Sequence, residues 1–401
     1  MILRGYMKKY FELLPIKLTD TKEIIRYMII ILSYILALFI LNIQISFGNW
    51  VSFRGNQQLT GVAESQLPDK LDLLWTFNAF GIESTATIYD GTVYVTALDG
   101  NLYALNAQTG ESRWNYNAMA PIKSSPSISN DVIYFGDETG IFHAVDINTH
   151  KKKWQYTTEG EIVSSANFID NRVLFGSYDG FLYCLDINNG DLIWKFETEG
   201  YVHATPSVWL HKNDADSNVL NYAIATGCDG YLRIIDIENG TQAQMVNLGT
   251  YVGASPAILD NQVFCGTYGS EILSVSLDEG DITWRYQHPE LKYPFIASAA
   301  ITGDQVIIGG RDKLVHALSN QTGEPIWTYR AKSRIESSPV IVGERVFFGT
   351  TRGLIIGLDL SSGELVWEYE TGDAIVASPS VSDGRIYIGN ERGILFCFGK
   401  K

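Results

Sequence analysis

Cysteine is scarce in this 401-residue chain, and the four thiols, Cys184, Cys228, Cys265 and Cys397, stand far apart. That excludes a disulfide framework and a zinc-type cluster. The six histidines show no i, i+4 or paired spacing of the kind a metal site uses. Positive charge is also in deficit: 30 Lys and Arg against 45 Asp and Glu leave a formal charge of −15. A nucleic-acid partner is therefore excluded, because a phosphate backbone requires clustered cations. Neither a glycine-rich phosphate loop nor a nucleophile elbow occurs. What is present is 46% hydrophobic and 12% aromatic residues, ordinary for a globular chain. Thirty-seven glycines against eleven prolines fit a turn-rich β-protein.

One long apolar run exists, at the N-terminus. Tyr27–Ile45 is broken only by Ser33, Asn42 and Gln44, and as a helix it would span about 28 Å, close to the bilayer core. Arg4, Lys8, Lys9, Lys17, Lys22 and Arg26 precede it, against Glu12, Asp20 and Glu23. The positive-inside rule then predicts a cytoplasmic lead over 1–26, a membrane span over 27–47 and everything from 50 onward outside. Removing the +3 of the lead from −15 leaves −18 for the exported part. Ser46 and Gly48 also fit a signal-peptidase site before Asn49, so cleavage and secretion are the alternative to an uncleaved anchor. No cysteine follows closely, and a lipoprotein anchor is not expected.

Downstream the chain repeats. Gly100, Gly140 and Gly180 are 40 apart, as are Trp114, Trp154 and Trp194. Each unit contains a small-residue run such as Ser124-Ser125-Pro126, an apolar segment ending in Gly, a third segment after a tight turn and a fourth carrying the Trp. These compositions mark strands joined by hairpins. Unit starts fall at Ile82, Ile122, Ile162, Val202, Val252, Ile296, Ile335 and Ile375. Four strands about every 40 residues predict an all-β, eight-bladed propeller over 50–401. The eighth unit ends without its fourth strand, and Leu73–Phe77, with Trp75, is expected to supply it and close the ring.

The stretch from Ala104 to Trp114 resembles the tryptophan-docking motif of the PQQ-like, or quinoprotein-type, β-propeller repeat family. It recurs at 144–154, 184–194, 274–284, 317–327 and 357–367, while the copy at 234–244 ends in Gln244. Its structural tryptophans are Trp114, Trp154, Trp194, Trp284, Trp327 and Trp367, with Trp75 at the closing strand. Trp50, Phe53, Arg54, Gly55, Asn56, Thr60 and Gly61 resemble the segment that precedes many propellers of this family. The family holds dehydrogenases that carry pyrroloquinoline quinone (PQQ) beside calcium, and non-catalytic scaffolds of the BamB type in outer-membrane protein assembly. The adjacent Cys-Cys pair of many quinoprotein alcohol dehydrogenases is absent. The resemblance therefore implies a monomeric, non-enzymatic scaffold that binds other envelope or membrane proteins and needs no cofactor. A PQQ- and calcium-dependent dehydrogenase is the first alternative. A propeller binding a glycan or small ligand at its channel mouth is the second.

Candidate site residues follow from the repeat. One position after the unit starts stand Glu83, Lys123, Val163, His203, Gly253, Ala297, Glu336 and Val376. Loops between second and third strands add Arg311, Arg352, Glu391 and Arg392, and Arg334 precedes a unit start. Glu83, Lys123, His203, Arg311, Arg334, Glu336, Arg352 and Arg392 are thus expected to gather as a binding rim around the channel mouth; the bland reading is ordinary solvated loops. His143 and His316 align with Tyr103 in the third strand and read as structural. Asp214, Asp216 and Asn218 open a calcium-type turn, but Val219 stands where the sharp-turn Gly belongs and no Glu follows at the twelfth position. A solvated loop is expected there.

Overall fold

The computed structural model describes residues 49–212 and 219–401. The predicted membrane span and the loop with Asp214, Asp216 and Asn218 lie outside those residues. Among the described residues, no helix is long and apolar enough to cross a membrane.

Eight four-stranded antiparallel sheets form the blades. In blade two, Ser127–Ser129, Val132–Gly136, Ile141–Asp146 and Lys152–Thr157 run from the innermost strand to the outermost. The second strand is buried throughout because both of its faces pack on neighbouring blades, so its residues are apolar without alternation. The outermost strand alternates, as in Leu192–Glu197, where Trp194 is buried and its neighbours are exposed. Asn130 and Asp131 both take positive φ in the first hairpin, as a two-residue type I′ turn requires. The predicted small-residue run is not itself a strand. Ser124-Ser125-Pro126 leads into a three-residue innermost strand.

Two devices join the blades. The N–H of each unit start donates to the carbonyl just past the second strand of the preceding blade, as Ile162 does to Asp137 at 3.0 Å and Ile82 to Asn390 at 3.1 Å. In six blades the second strand ends in Gly because this residue abuts the next unit start: a Cβ on Gly136 would lie 2.1 Å from Ile162. Further out, each tryptophan docks on the next blade. The Trp194 indole N–H donates to the Ile237 carbonyl at 2.8 Å, and a Cβ on Gly240 would lie 2.6 Å from its ring. A bulge opposite the Trp position recurs in every blade and offsets the outer strand locally. Gln244 breaks the series, and a cleft of about 660 Å³ lined by Met245, Gly280 and Trp284 opens between blades four and five.

Asp72–Asn78 pairs with Ile394–Gly399 and completes blade eight. Trp75 donates to the Ala107 carbonyl of blade one at 3.1 Å, so the closing strand makes the same docking contact as the internal ones. One expectation is corrected here. Blade six starts at Phe295, not Ile296, because Phe295 N–H donates to the Thr267 carbonyl and its side chain meets Gly266. The spacings become 43 and 40, and the rim position of that blade is Ile296, not Ala297.

The lead-in segment does more than precede the propeller. Trp50 bridges Ile88 of blade one, and the Val51, Gln57, Gln58 and Thr60 carbonyls accept from the innermost strands of blades two, four, five and six. Gln57 Nε2 donates to Phe168 of blade three, Val62–Ala63 lies parallel to blade seven, and Ser65 accepts from Gly384 of blade eight. The segment therefore floors the channel at the ends of the innermost strands. Arg54 is fully buried there, donates to the Ala299 carbonyl at 2.8 Å, and burial lowers its guanidinium to about 9.

Candidate functional site

At the opposite face, the channel mouth is a small funnel of about 160 Å³ with Phe53 at its base. Thr85, Ser125, Ser165, Thr205, Ser255, Ser298, Ser338 and Ser378 form a belt of eight hydroxyls in it. Seven of these residues donate their backbone N–H to the hydroxyl of the next blade at 2.9–3.1 Å. The small side chains that the repeat places here thus stitch the blades together, and seven of the eight oxygens, all but that of Thr85, accept such a bond.

Above the belt, the predicted rim residues divide into separate sectors. Lys123 pairs with Glu138 at 2.6 Å beside Glu83. Burial raises the Glu83 carboxyl above its ordinary value, while Lys123 pulls it back. His203 lies 2.6 Å from the Tyr178 hydroxyl, and burial together with the Lys123 charge holds its imidazole below its ordinary value. Arg311 pairs with Glu336 at 2.9 Å across the seam between blades six and seven. Arg392 sits exposed on the hairpin of blade eight. Among the described residues no single ring of free charge results, because Lys123, Glu83, Arg311 and Glu336 lie beside opposite charges.

The concentration of charge lies elsewhere on the same face. A groove of about 790 Å³ between blades six and seven is lined by Arg311, Lys313, Arg330, Lys332, Arg334 and Arg352, with Asp312 the one carboxylate. Arg311, Arg334 and Arg352 were expected at the rim. Lys313, Arg330 and Lys332 were not, because a residue-by-residue reading treats them as turn and strand-end solvation. Of the six, only Arg311 makes an ion pair among the described residues. Leu291, Tyr293 and Pro294 form one wall. Exposed Phe80, Met119, Tyr201, Tyr251 and Tyr268 stand on other loops of this face.

The histidines inside the blades are structural. His143 Nε2 lies 2.9 Å from Asp137, and His316 Nε2 lies 2.8 Å from Asp312, both pairs buried. Tyr103 and Tyr183 reach Asp99 and Asp179 from the same third-strand position, each at 2.7 Å. Burial opposes ionisation of Asp137, yet hydrogen bonds from His143, Thr139 and the Ile141 N–H outweigh it and lower its pKa. Cys184, Cys265 and Cys397 are buried with thiols pushed up to about 12 by desolvation.

A calcium ion beside a quinone would need roughly six to eight oxygen ligands converging at the mouth. Among the described residues, no three His, Cys, Asp or Glu side chains converge as for a metal. Glu83 is flanked by Lys123, and Glu336 is paired with Arg311. The funnel is also smaller than the roughly 300–1,000 Å³ of ordinary ligand pockets. The residues present do not fit that group.

The family described as outer membrane protein assembly factor BamB matches residues 69–200 and 221–398. Among solved structures, BamB from Moraxella catarrhalis is similar at 17% identity and a TM-score of 0.68, over 82% of this chain and 100% of that one. The quinohemoprotein alcohol dehydrogenase of Comamonas testosteroni is similar at 14% identity and 0.75, over 88% and 81%. A europium-containing methanol dehydrogenase gives 14% and 0.72, over 88% and 98%. At these identities the structures share the fold alone. No protein with a curated description matches the sequence.

Proposed function

Because the chain belongs to the family of the outer membrane protein assembly factor BamB, we propose that it is a non-enzymatic, membrane-tethered propeller that binds other envelope proteins through its loop face. Its work is the assembly of outer-membrane or other envelope proteins, outside the cytoplasmic membrane. The apolar run Tyr27–Ile45 is the tether, and the basic residues before it set the orientation.

The observation that carries this reading is the division of labour between the two ends of the channel. One end is floored by the lead-in segment, and at the other, where hydroxyls serve blade-to-blade bonding, the funnel holds only about 160 Å³. The loop face instead offers exposed Tyr, Phe and Met beside arginines, residue types that anchor protein interfaces. A quinone-dependent dehydrogenase is the second reading and draws on the likeness in fold to the quinohemoprotein enzyme; the donor set described above speaks against it.

Photo-crosslinking in intact envelopes tests the proposal. Crosslinkers at Tyr251 and Arg352 on the loop face are expected to capture envelope-assembly proteins, and crosslinkers at Leu365 on an outer strand are not. Equal capture from both surfaces, or dye reduction by the purified chain that depends on added PQQ and calcium, would overturn it.

A further inference from the structure

We infer that the groove between blades six and seven is a docking site for an acidic, partly apolar segment of a partner protein. The inference rests on the scaffold reading and adds the chemistry of what is bound.

The first argument is that the repeat does not ask for these charges. Backbone hydrogen bonds align Ala331 with Thr198 and Thr371, and Arg334 with Glu161. By that register Arg330 stands where blades three and seven carry Glu197 and Glu370, and Lys332 where blades two and three carry Glu159 and Glu199. Arg352 occupies the hairpin position of Asp99, Asp179 and Asp229. Four positions that each carry an acid in at least one other blade are thus cationic together at one seam, in a domain of net charge −18.

A second argument is that these cations are unspent. Lys313, Arg330, Lys332, Arg334 and Arg352 are exposed and make no ion pair among the described residues. Like charges gathered in one concavity repel, which is relieved when an anion enters. A third observation points to a ligand independently. Ser333 lines the groove, is 8% exposed, and its hydroxyl has no hydrogen-bond partner among the described residues. A buried hydroxyl without a partner is unfavourable, and a carboxylate oxygen in the groove would accept from it.

The shape selects among anions. The groove is recessed between two blades, so a flat headgroup layer meets its rim but not Ser333. Its volume of about 790 Å³ exceeds what one phosphate fills, and the Leu291, Tyr293 and Pro294 wall gives it an apolar side. An extended segment alternating carboxylates with apolar residues satisfies both walls, with arginine forks pairing to carboxylates.

The test titrates the full chain, in detergent, with a short capped peptide alternating Glu and Phe, its Gln-for-Glu counterpart, inorganic phosphate, and phosphatidylglycerol vesicles. Binding of the Glu peptide is expected, weakening steeply with salt, and falling about tenfold or more in Lys332→Glu/Arg334→Glu. Tight binding of the Gln peptide, equal affinity in the double variant, competition by phosphate at matching concentration, or variant-sensitive binding of vesicles alone would each overturn the inference. Lys332→Gln/Arg334→Gln repeats the measurement should the reversed pair fail to fold. Failure of the two readings is distinguishable. If the double variant still captures envelope partners as the parent does, the groove fails and the scaffold stands; if the peptide binds but no envelope partner is captured, the scaffold reading fails.

Discussion

Single side chains here do two kinds of work, and their substitutions separate them. Trp194 is buried and hydrogen-bonded across a seam, so Trp194→Ala is expected to cost about 3–5 kcal/mol, read as a lowered urea midpoint. Arg352 is exposed and makes no ion pair, and Arg352→Glu should leave stability within about 1 kcal/mol. Arg311→Glu behaves differently, because it sets a second carboxylate against Glu336, and a loss of roughly 1–2 kcal/mol is expected in the same urea titration. Asp137 gives a pH-dependent case. Its pKa is held below the ordinary 3.8, so ionised Asp137 stabilises the folded state above that value, and the contribution is lost as pH falls through the lowered one. The stability gap between the parent and Asp137→Asn should therefore be full near neutrality and shrink in acid. A gap that widens in acid would contradict the assignment of Asp137 as a satisfied structural carboxylate.

At the scale of elements, two segments outside the repeat hold the ring. The strand Asp72–Asn78 supplies the fourth strand of blade eight, and Trp75 and Arg385 both donate to the Ala107 carbonyl of blade one. Deleting Leu73–Phe77 is expected to abolish cooperative unfolding, since it opens the sheet and the seam together. The lead-in from Trp50 to Ser65 reaches the innermost strands of seven blades and the first hairpin of the eighth. Gly61 is required within it because a Cβ there would fall 1.9 Å from the Arg54 guanidinium, at a φ of +66° that side chains disfavour. Gly61→Val is accordingly expected to lower the melting temperature, whereas Gly303→Ala, with open space around it, should not. Equal melts for the two would show that the floor contributes nothing.

At the largest scale, the described residues form a ring whose two faces differ in occupation. The loop face carries the aromatic and cationic surface, and the other is capped by the lead-in from Trp50 to Ser65. For the tethered orientation, a reporter active only in the periplasm should work when fused after Lys401 and a cytoplasmic one should not; the reverse pattern would overturn it. The repeat made blade number, blade content and ring closure legible, because each tryptophan and each strand-ending glycine meets its counterpart one unit away. The start of blade six lies one residue before the predicted one, since two adjacent apolar residues, Phe295 and Ile296, are equivalent in sequence but not in what they pack against.

By itself the sequence determined the fold, since a 40-residue period of hairpin signals and docking tryptophans admits one way of burying every apolar strand. It also indicated Arg311, Arg334 and Arg352 as loop residues, because hairpins and links alternate along the chain, but not Lys313, Arg330 and Lys332 beside them. Only the tertiary structure decided which of those residues remain free. Ion pairing is a matter of distance between blades, so Arg311, Lys123 and Glu336 spend their charge on neighbours while Arg330, Lys332, Arg334 and Arg352 converge from a strand end, a link and a hairpin. The same holds for the lead-in, whose irregular backbone carries no period to read. Its place was set by the unpaired ends of eight innermost strands, which offer donors and acceptors that only a segment crossing the axis can satisfy.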